Sequence, residues 1–455
     1  MSINNLMSIA RTALMTHQQA IDITGHNIAN ANTPGYSRQR LELAAAVPLR
    51  TPIGTLGRGV SATGIMSYRD VLLDAAYRRE QSAFSHADTL RGLMGGVEEV
   101  FAEPSDVGIS AALDAMFNAF SDLSQTPASA AARVAVRDAV QQLVNRIHDV
   151  DGRLATQQTE IGGQISATVD RINQIGQQVA ALTLDIVAAS AGGGAAPDLQ
   201  DARDGLLDEL ATLVGTRVLP RGDGSVAVIV GDALLVEGAY PQTLDVRTVP
   251  GGGFAAGIVG SPRNIKPGGG VLGALSDLST GGIPGVRSEL DRLAAGLVTT
   301  INTIHAAGTT LGGATGVDLF NPAGLTAGTI GLSAAIIANP QDIVSGATSQ
   351  PGDNTVALQL SGLRSTAIAS LNGGSATEFF AGLVSSVASM VRDADQSARI
   401  GDQIVAGIVA RRESVRGVST DEEMVKLIVQ QQAFSAAARL VMVADELMQD
   451  VLRMV

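Results

Sequence analysis

The sequence predicts a mainly α-helical chain with inserted β segments: a terminal α-helical coiled coil, a long-helix bundle built from discontinuous segments, and a small β-rich outer domain. First, both ends carry apolar stripes with alternating spacings of three and four. Near the N-terminus these are Ile3, Met7, Ala10, Leu14, His17, Ile21, Thr24 and Ile28. Near the C-terminus they are Met424, Leu427, Gln431, Phe434, Ala438, Val441, Asp445, Met448, Leu452 and Val455, a seam broken by Gln431 and Asp445. Each helix can cover the other's stripe. Second, a longer seam runs through Val136, Val140, Leu143, Ile147, Val150 and Leu154. After a stutter near Ile161 and Ile165 it continues to Ile172, Ile175, Val179, Leu182 and Ile186. Third, the apolar runs Val226–Val230 and Leu234–Val236 lie between Gly-Asp turns, the pattern of hairpins.

The elements follow in order. Residues 1–40 form an N-terminal helix and an Asn-rich turn, in which Pro34 blocks continuation of the helix and Asn30, Asn32 and Gly35 suit the exit. Residues 41–67, with Pro48, Pro52, Gly54, Gly57, Gly59 and Gly64, predict an extended loop with short strands. Residues 68–215 form the first part of the bundle, with helices over 71–100, 109–123, about 136–186 and 198–214. The third of these is roughly 55 residues, or about 80 Å, long; Gly192-Gly193-Gly194 ends it. Residues 216–274 are the β-rich insertion, and 275–307 return to the bundle with a helix at 286–307. Residues 308–364 predict loops and short strands, 365–417 a third bundle part with a helix at 378–415, and 418–455 the C-terminal helix.

Composition narrows the function. With 45% hydrophobic but only 3% aromatic residues and no Trp, packing falls to Ala, Val, Ile and Leu, and 455 residues exceed one hydrophobic core. A net charge of -13 without a basic patch opposes nucleic-acid binding. There is no Cys, hence no disulfide or thiolate metal site. His17, His26, His86, His148 and His305 are scattered without metal-ligand spacing. The triple glycines at 251–253 and 268–270 lack the Lys and Ser/Thr of a phosphate loop and read as turns. Asp421, Glu422 and Glu423 open a helix, where negative charge meets the macrodipole; capping explains them better than catalysis. No enzyme, cofactor or metal is expected. Residues 1–5 lack a basic n-region, so no cleavable signal peptide is expected, and no uninterrupted apolar run reaches the length of a spanning helix.

The run Ala31-Asn32-Thr33-Pro34-Gly35-Tyr36 resembles the signature of the flagellar axial proteins. Gly417-Val418, Asp421–Met424, Gln431–Phe434 and Ala436–Arg439 resemble the C-terminal signature of the same family. The likeness is close over the first and last forty or so residues and weaker at 199–210 and 290–305. Ser37-Arg38-Gln39 after the Tyr, and Ala437 where rod and hook proteins more often carry Asn, favour a junction-type member.

The resemblance implies a structural adaptor that polymerises as a ring at the distal end of the flagellar hook and joins it to the filament. The partners it implies are other copies, the hook protein, a second junction protein, a cytoplasmic export chaperone at the C-terminal helix, and the type III export apparatus. Location is extracellular, at the hook-filament junction, without membrane insertion. Axial assembly would rest on Leu14, Ile21, Asn27, Ile28, Asn30, Asn32, Pro34, Gly35 and Tyr36 with Met424, Leu427, Gln431, Phe434, Ala438, Val441 and Met448. Before assembly, Phe434 and its stripe are expected to be exposed. A hook or distal-rod protein is the nearest alternative, disfavoured because residues 68–215 are largely helical. A membrane-surface protein using its amphipathic ends is opposed by the acidic balance.

Overall fold

The computed structural model describes residues 3–51, 54–192 and 194–453. Pro52, Gly193, Val455 and the side chain of Ile3 lie outside the described residues. The chain opens with helix α1 (Ile3–Ala29) and a four-strand excursion, β1 (Gln39–Ala45), β2 (Leu49–Thr51), β3 (Gly54–Leu56) and β4 (Val60–Ser67). Four helices follow: α2 (Val71–Phe101), α3 (Ile109–Gln125), α4 (Ala130–Ala191) and α5 (Pro197–Leu213). The outer strands are β5 (Thr216–Pro220), β6 (Val226–Val230), β7 (Ala233–Glu237), β8 (Tyr240–Pro241), β9 (Leu244–Val249) and β10 (Gly253–Ile258). The chain returns through α6 (Gly270–Asp277), α7 (Ile283–Ala306), α8 (Ala334–Ala338), α9 (Thr355–Gly362), α10 (Ala376–Arg416) and α11 (Thr420–Arg453).

Helix α4 is the spine. Its 62 residues make about 93 Å of helix. Ser129 caps it by accepting from the Ala132 N–H. The seam from Val136 through Ile186 is buried against α3, α5, α7 and the β9–β10 hairpin, with one shift: Thr183, not Leu182, fills the inward place in the last turns, and Leu182 is half-buried. At the stutter, Gln158 is buried and donates to the Gly251 and Ser279 carbonyls at 3.1 and 3.4 Å. One turn on, the hairpin crosses so closely that a Cβ on Gly162 would lie 2.5 Å from the Phe254 ring. Here the bundle and the β insertion share one apolar core.

Strands β5 to β8 form an antiparallel meander, while β9–β10, β1–β4 and β2–β3 are separate antiparallel pairs. Two regions differ from the sequence expectation. Helix begins at Gly270, not Val286, because the Leu278–Gly282 stretch winds as a π-turn and carries α6 into α7, with Pro284 in the first turn where its missing N–H costs nothing. Residues 308–364 hold, among the described residues, isolated bridges such as Phe320↔Leu332 in place of strands, together with α8 and α9. His305 organises this region: fully buried, it binds the Val317 carbonyl through Nδ1 at 2.7 Å and accepts the Val344 N–H on Nε2 at 2.9 Å.

Helices α2 and α10 lie alongside each other; α10 starts in a capping box between Ser375 and Glu378. Helix α11 then turns back to lie along α1, so the first and last helices of the chain form a pair.

Candidate assembly joint at the root of the terminal helices

The paired terminal helices share a heptad seam. On α11 the inward residues are Glu423, Leu427, Gln430, Phe434, Ala437, Val441, Ala444 and Met448, all buried or half-buried. Of the ten predicted seam residues, four, Leu427, Phe434, Val441 and Met448, lie there. Four more are displaced by one residue: Met424, Gln431 and Asp445 are exposed, their places taken by Glu423, Gln430 and Ala444, and Ala437 is buried more deeply than Ala438. Leu452 is exposed too. The rotation follows from polar partners: Gln430 Oε1 meets His17 Nδ1 at 2.7 Å, and Glu423 is drawn inward by three donors. On α1, Leu14, Ile21 and Ile28 are half-buried and Thr16, Thr24 and Asn27 buried. Phe434 is therefore half-buried within a single chain, contrary to the expectation of an exposed stripe before assembly.

The seam ends in a polar joint centred on Asn27, which is 1% exposed. Its amide is fully used. Nδ2 donates to the Gln39 carbonyl and to Glu423 Oε2, both at 2.9 Å; Oδ1 accepts from the Tyr36 hydroxyl at 2.7 Å and the Gln39 N–H at 2.9 Å. The Pro34-Gly35-Tyr36 turn exists to deliver those groups. Asn30 Nδ2 donates to the His26 carbonyl at 3.1 Å, closing the end of α1, and Gly35 adopts φ +83°, open to glycine without strain. Tyr36 meets His26 edge-on, ring centroids 5.5 Å apart. Asn32, Pro34 and Gly35 stay exposed and shape the turn without entering the joint.

Glu423 is also 1% exposed. Arg38 Nε donates to it at 2.8 Å and Lys426 Nζ at 3.0 Å, while Arg38 also reaches Glu422 at 3.0 Å. Burial pushes the Glu423 carboxyl up, but the bonds from Asn27, Lys426 and Arg38 outweigh it and hold the group below the ordinary glutamate value. Burial, then Asp198, Asp201 and Glu423, push the Tyr36 phenol up, so it remains a donor. Glu423 is thus far more than a charge at a helix N-terminus. The Arg38 N–H donates to the Arg416 carbonyl at 3.0 Å, pinning the turn to the end of α10.

Helix α5 anchors the joint to the body. Asp201 accepts the Ser37 N–H at 2.8 Å and Asp198 the Gln39 Nε2 at 2.6 Å. Behind them, arginines and aspartates alternate across α2, α5, α10 and the residues just before α2. Arg69 pairs with Asp204 and, at 3.5 Å, with Asp74 and Asp201. Arg78 pairs with Asp204 at 3.1 Å and Asp208 at 2.7 Å; Arg412 meets Asp74 and Asp208 at 2.8 Å and stacks over Tyr77 at 4.2 Å. Each charge has more than one partner, the condition under which buried ion pairs hold a geometry. Pattern reading missed Asp198, Asp201, Asp208 and Arg412, since partner charges far apart in sequence leave no periodic trace. Arg38 and Glu423 sit inside the quoted motifs, where pattern assigns Glu423 only helix capping and Arg38 only a place in the junction-type signature.

Among the described residues, no group of three His, Asp or Glu side chains is placed to hold a metal ion.

Comparison with known proteins agrees with this layout. Residues 94–320 match the family described as the flagellar hook-associated protein FlgK helical domain. Residues 7–36 match the flagella basal body rod protein family, and 414–454 the C-terminal family of flagellar basal body rod FlgEFG proteins. Flagellar hook-associated protein 1 of Bacillus subtilis (strain 168) is 27% identical over 495 aligned positions, covering 98% of this chain and 97% of that protein. The protein of the same name from Salmonella typhimurium is 28% identical over 330, covering 70% of this chain and 59% of its own length. The flagellar hook junction protein FlgK from Burkholderia pseudomallei shares the fold, with a TM-score of 0.65 and 15% identity over 76% of this chain and 100% of that one. The chain therefore belongs to the flagellar hook-associated protein 1 (FlgK) family, structural proteins, not enzymes, of the external flagellum at the hook-filament junction.

Proposed function

We propose that the chain is an adaptor that polymerises as a short ring at the distal end of the hook and joins hook to filament through a second junction protein. One observation carries this reading. The face of α11 turned away from α1 carries a second apolar stripe, Val425, Ile428, Val429, Met442 and Val443, each between 46% and 62% exposed. A stripe of that kind on a helix already paired on its other side calls for a further helical neighbour. The joint sets the direction of the α1–α11 pair relative to the body, so copies would stack in one orientation. Assembly would use the half-buried seam residues Leu14, Ile21, Ile28, Leu427, Phe434, Ala438, Val441 and Met448 to keep the pair intact. Asn27, Asn30, Asn32, Pro34, Gly35 and Tyr36 would fix its root, and Met424 and Gln431 would lie outside the seam.

The same stripe would need shielding before export, which fits a cytoplasmic chaperone that takes α11 into a groove. The type III apparatus would then carry the subunit out without cleavage. Within Ala369–Arg453 one window reaches a mean hydropathy of 1.3 with 11% of it buried, long and apolar enough by composition to cross a membrane. That favours a membrane-surface role as the second reading, and flotation with anionic vesicles separates the two: the adaptor stays at the bottom of the gradient. The decisive experiment is complementation of cells lacking their own hook-filament junction protein. The chain should restore filaments and label at the junction by immuno-electron microscopy; label on the hook shaft or rod would overturn the assignment.

A further inference from the structure

Below the joint, β4, the first turns of α2, the start of α5 and the β5–β6 hairpin enclose a cleft of about 700 Å³. In a chain of net charge -13, six arginines and two aspartates line it. Four of those arginines are occupied: Arg69 and Arg78 by the aspartates described above, Arg79 by Glu80 at 2.9 Å and Arg221 by Glu237 at 2.9 Å. Arg203 and Arg217 make no ion pair among the described residues. Arg217 lies exposed on β5. Arg203, on α5, is 8% exposed; its Nη1 donates to the Gly224 carbonyl at 2.8 Å, and its Nε is buried without any acceptor. On the β4 side of the cleft, the Ser67 hydroxyl is likewise buried and unpartnered.

A buried N–H of a charged group left without an acceptor is expensive, and native structures rarely leave one without a reason. Burial pushes the Arg203 guanidinium down, Asp204 opposes this, and Arg69 and Arg78 add to the fall; an incoming anion would reverse it. Apolar side chains, Ile65, Met66, Val71, Val218 and Pro220, form part of its walls. Such walls suit an anionic group carried on a side chain better than a small, strongly hydrated ion. The guanidinium edge matches a carboxylate in shape.

We propose that this cleft is a carboxylate-binding site, filled on assembly by an acidic side chain of a second copy of the chain. The second copy is favoured by charge complementarity: the surplus of Asp and Glu lies on the same chain as this arginine-lined cleft. The proposal rests on the self-assembly reading above.

Two measurements test it. The purified chain is titrated with sodium glutarate at constant ionic strength while its thermal midpoint is followed by circular dichroism. The midpoint should rise and saturate, the response should vanish in Arg203→Met, and it should weaken in Arg217→Glu. Should Arg203→Met fail to fold, Arg217→Glu at the exposed rim carries the comparison. No saturable response in the parent chain, or one unchanged in the variants, overturns the site. In complemented cells, a photo-crosslinking residue in place of Val218 should yield a crosslink between two copies. Crosslinks to another flagellar subunit, or none, overturn the second copy as the source of the carboxylate. Failure of the parent chain to restore junctions counts against the proposed function; a parent that restores them no better than Arg203→Met and Arg217→Glu counts against this site alone.

Discussion

Asn27 Nδ2 and Glu423 Oε2, 396 positions apart in sequence, share a hydrogen bond of 2.9 Å between two side chains that are each 1% exposed. It joins the end of the first helix to the beginning of the last. Because the same amide also receives Tyr36 and both backbone groups of Gln39, the turn after α1, the hairpin strand β1 and α11 are fixed by one residue. The orientation of the terminal pair is thus a property of a polar joint, while its cohesion is a property of the apolar seam.

Replacing Asn27 by Asp should break the joint selectively. Both Nδ2 donors vanish and a second carboxylate faces Glu423, and an uncompensated buried charge costs about 3 to 5 kcal/mol. Hydrogen exchange should accelerate over residues 3–40 and 418–453 while α4 stays protected. Adding Glu423→Gln should recover much of the loss, because the new amide can donate to the Asp carboxylate. A double variant no better than the single one would show that the two side chains do not act together.

Phe434→Asp and Val179→Asp should separate the terminal pair from the bundle. Phe434 is half-buried against α1, so its replacement should open the pair, speed exchange in both terminal helices and prevent junction assembly, yet leave the main thermal transition near its place. Val179 is fully buried in the α4 core, and a charge there should cost several kcal/mol and lower that transition itself. Equal lowering of the transition by both would mean that the pair and the bundle unfold as one unit.

Periodicity made the long elements readable. The α4 seam, the end of α1 at the Asn-rich turn and the paired terminal stripes all follow from three-four spacing and breaker residues, because burial on one helix face leaves a repeat. The four α11 seam residues placed one position off show the limit. Met424 and Gln431 continue an apolar count as well as Glu423 and Gln430 do, and only the donors Asn27, Arg38 and His17, supplied by other segments, rotate the helix to its actual facing. The exposed Val425–Val443 stripe went unread for a related reason: two opposed stripes on one helix blur into a single hydrophobic stretch. The Gly270–Asp277 helix was hidden because Gly281, Gly282 and Pro284 resemble a stop, whereas a π-turn carries the chain through them.

His305 should make stability fall in mild acid. Burial pushes it from an ordinary 6.5 down to about 4, with the Val317 carbonyl and Asp318 opposing the shift. Between those values the unfolded chain takes up a proton that the folded chain refuses, so stability is complete above about pH 6.5 and declines as pH drops toward 4, by about 1.4 kcal/mol per unit. Unfolding free energies from urea titrations near pH 7 and pH 5 should differ by about 2 kcal/mol more in the parent chain than in His305→Gln. An identical acid dependence in the two proteins would remove His305 as the cause.

The outer stripe of α11 offers the sharpest separation of folding from assembly. Val429 and Val443 are 54% and 46% exposed, and both occupy the side of α11 away from the α1 seam. Exposed substitutions remote from packing usually change stability by less than about 0.5 kcal/mol. Val429→Lys combined with Val443→Lys should therefore leave the thermal midpoint and the hydrogen exchange of the isolated chain as they were. In an assembled ring the same positions would place four methylenes and a charge against a neighbouring helix, where an unpaired charge is costly. Cells carrying the double variant should export the subunit, fail to hold it at the hook tip, and shed filament subunits into the medium. Normal filaments from that variant would show that the stripe stays in water after assembly, and the packing surface between copies would then have to lie on α1.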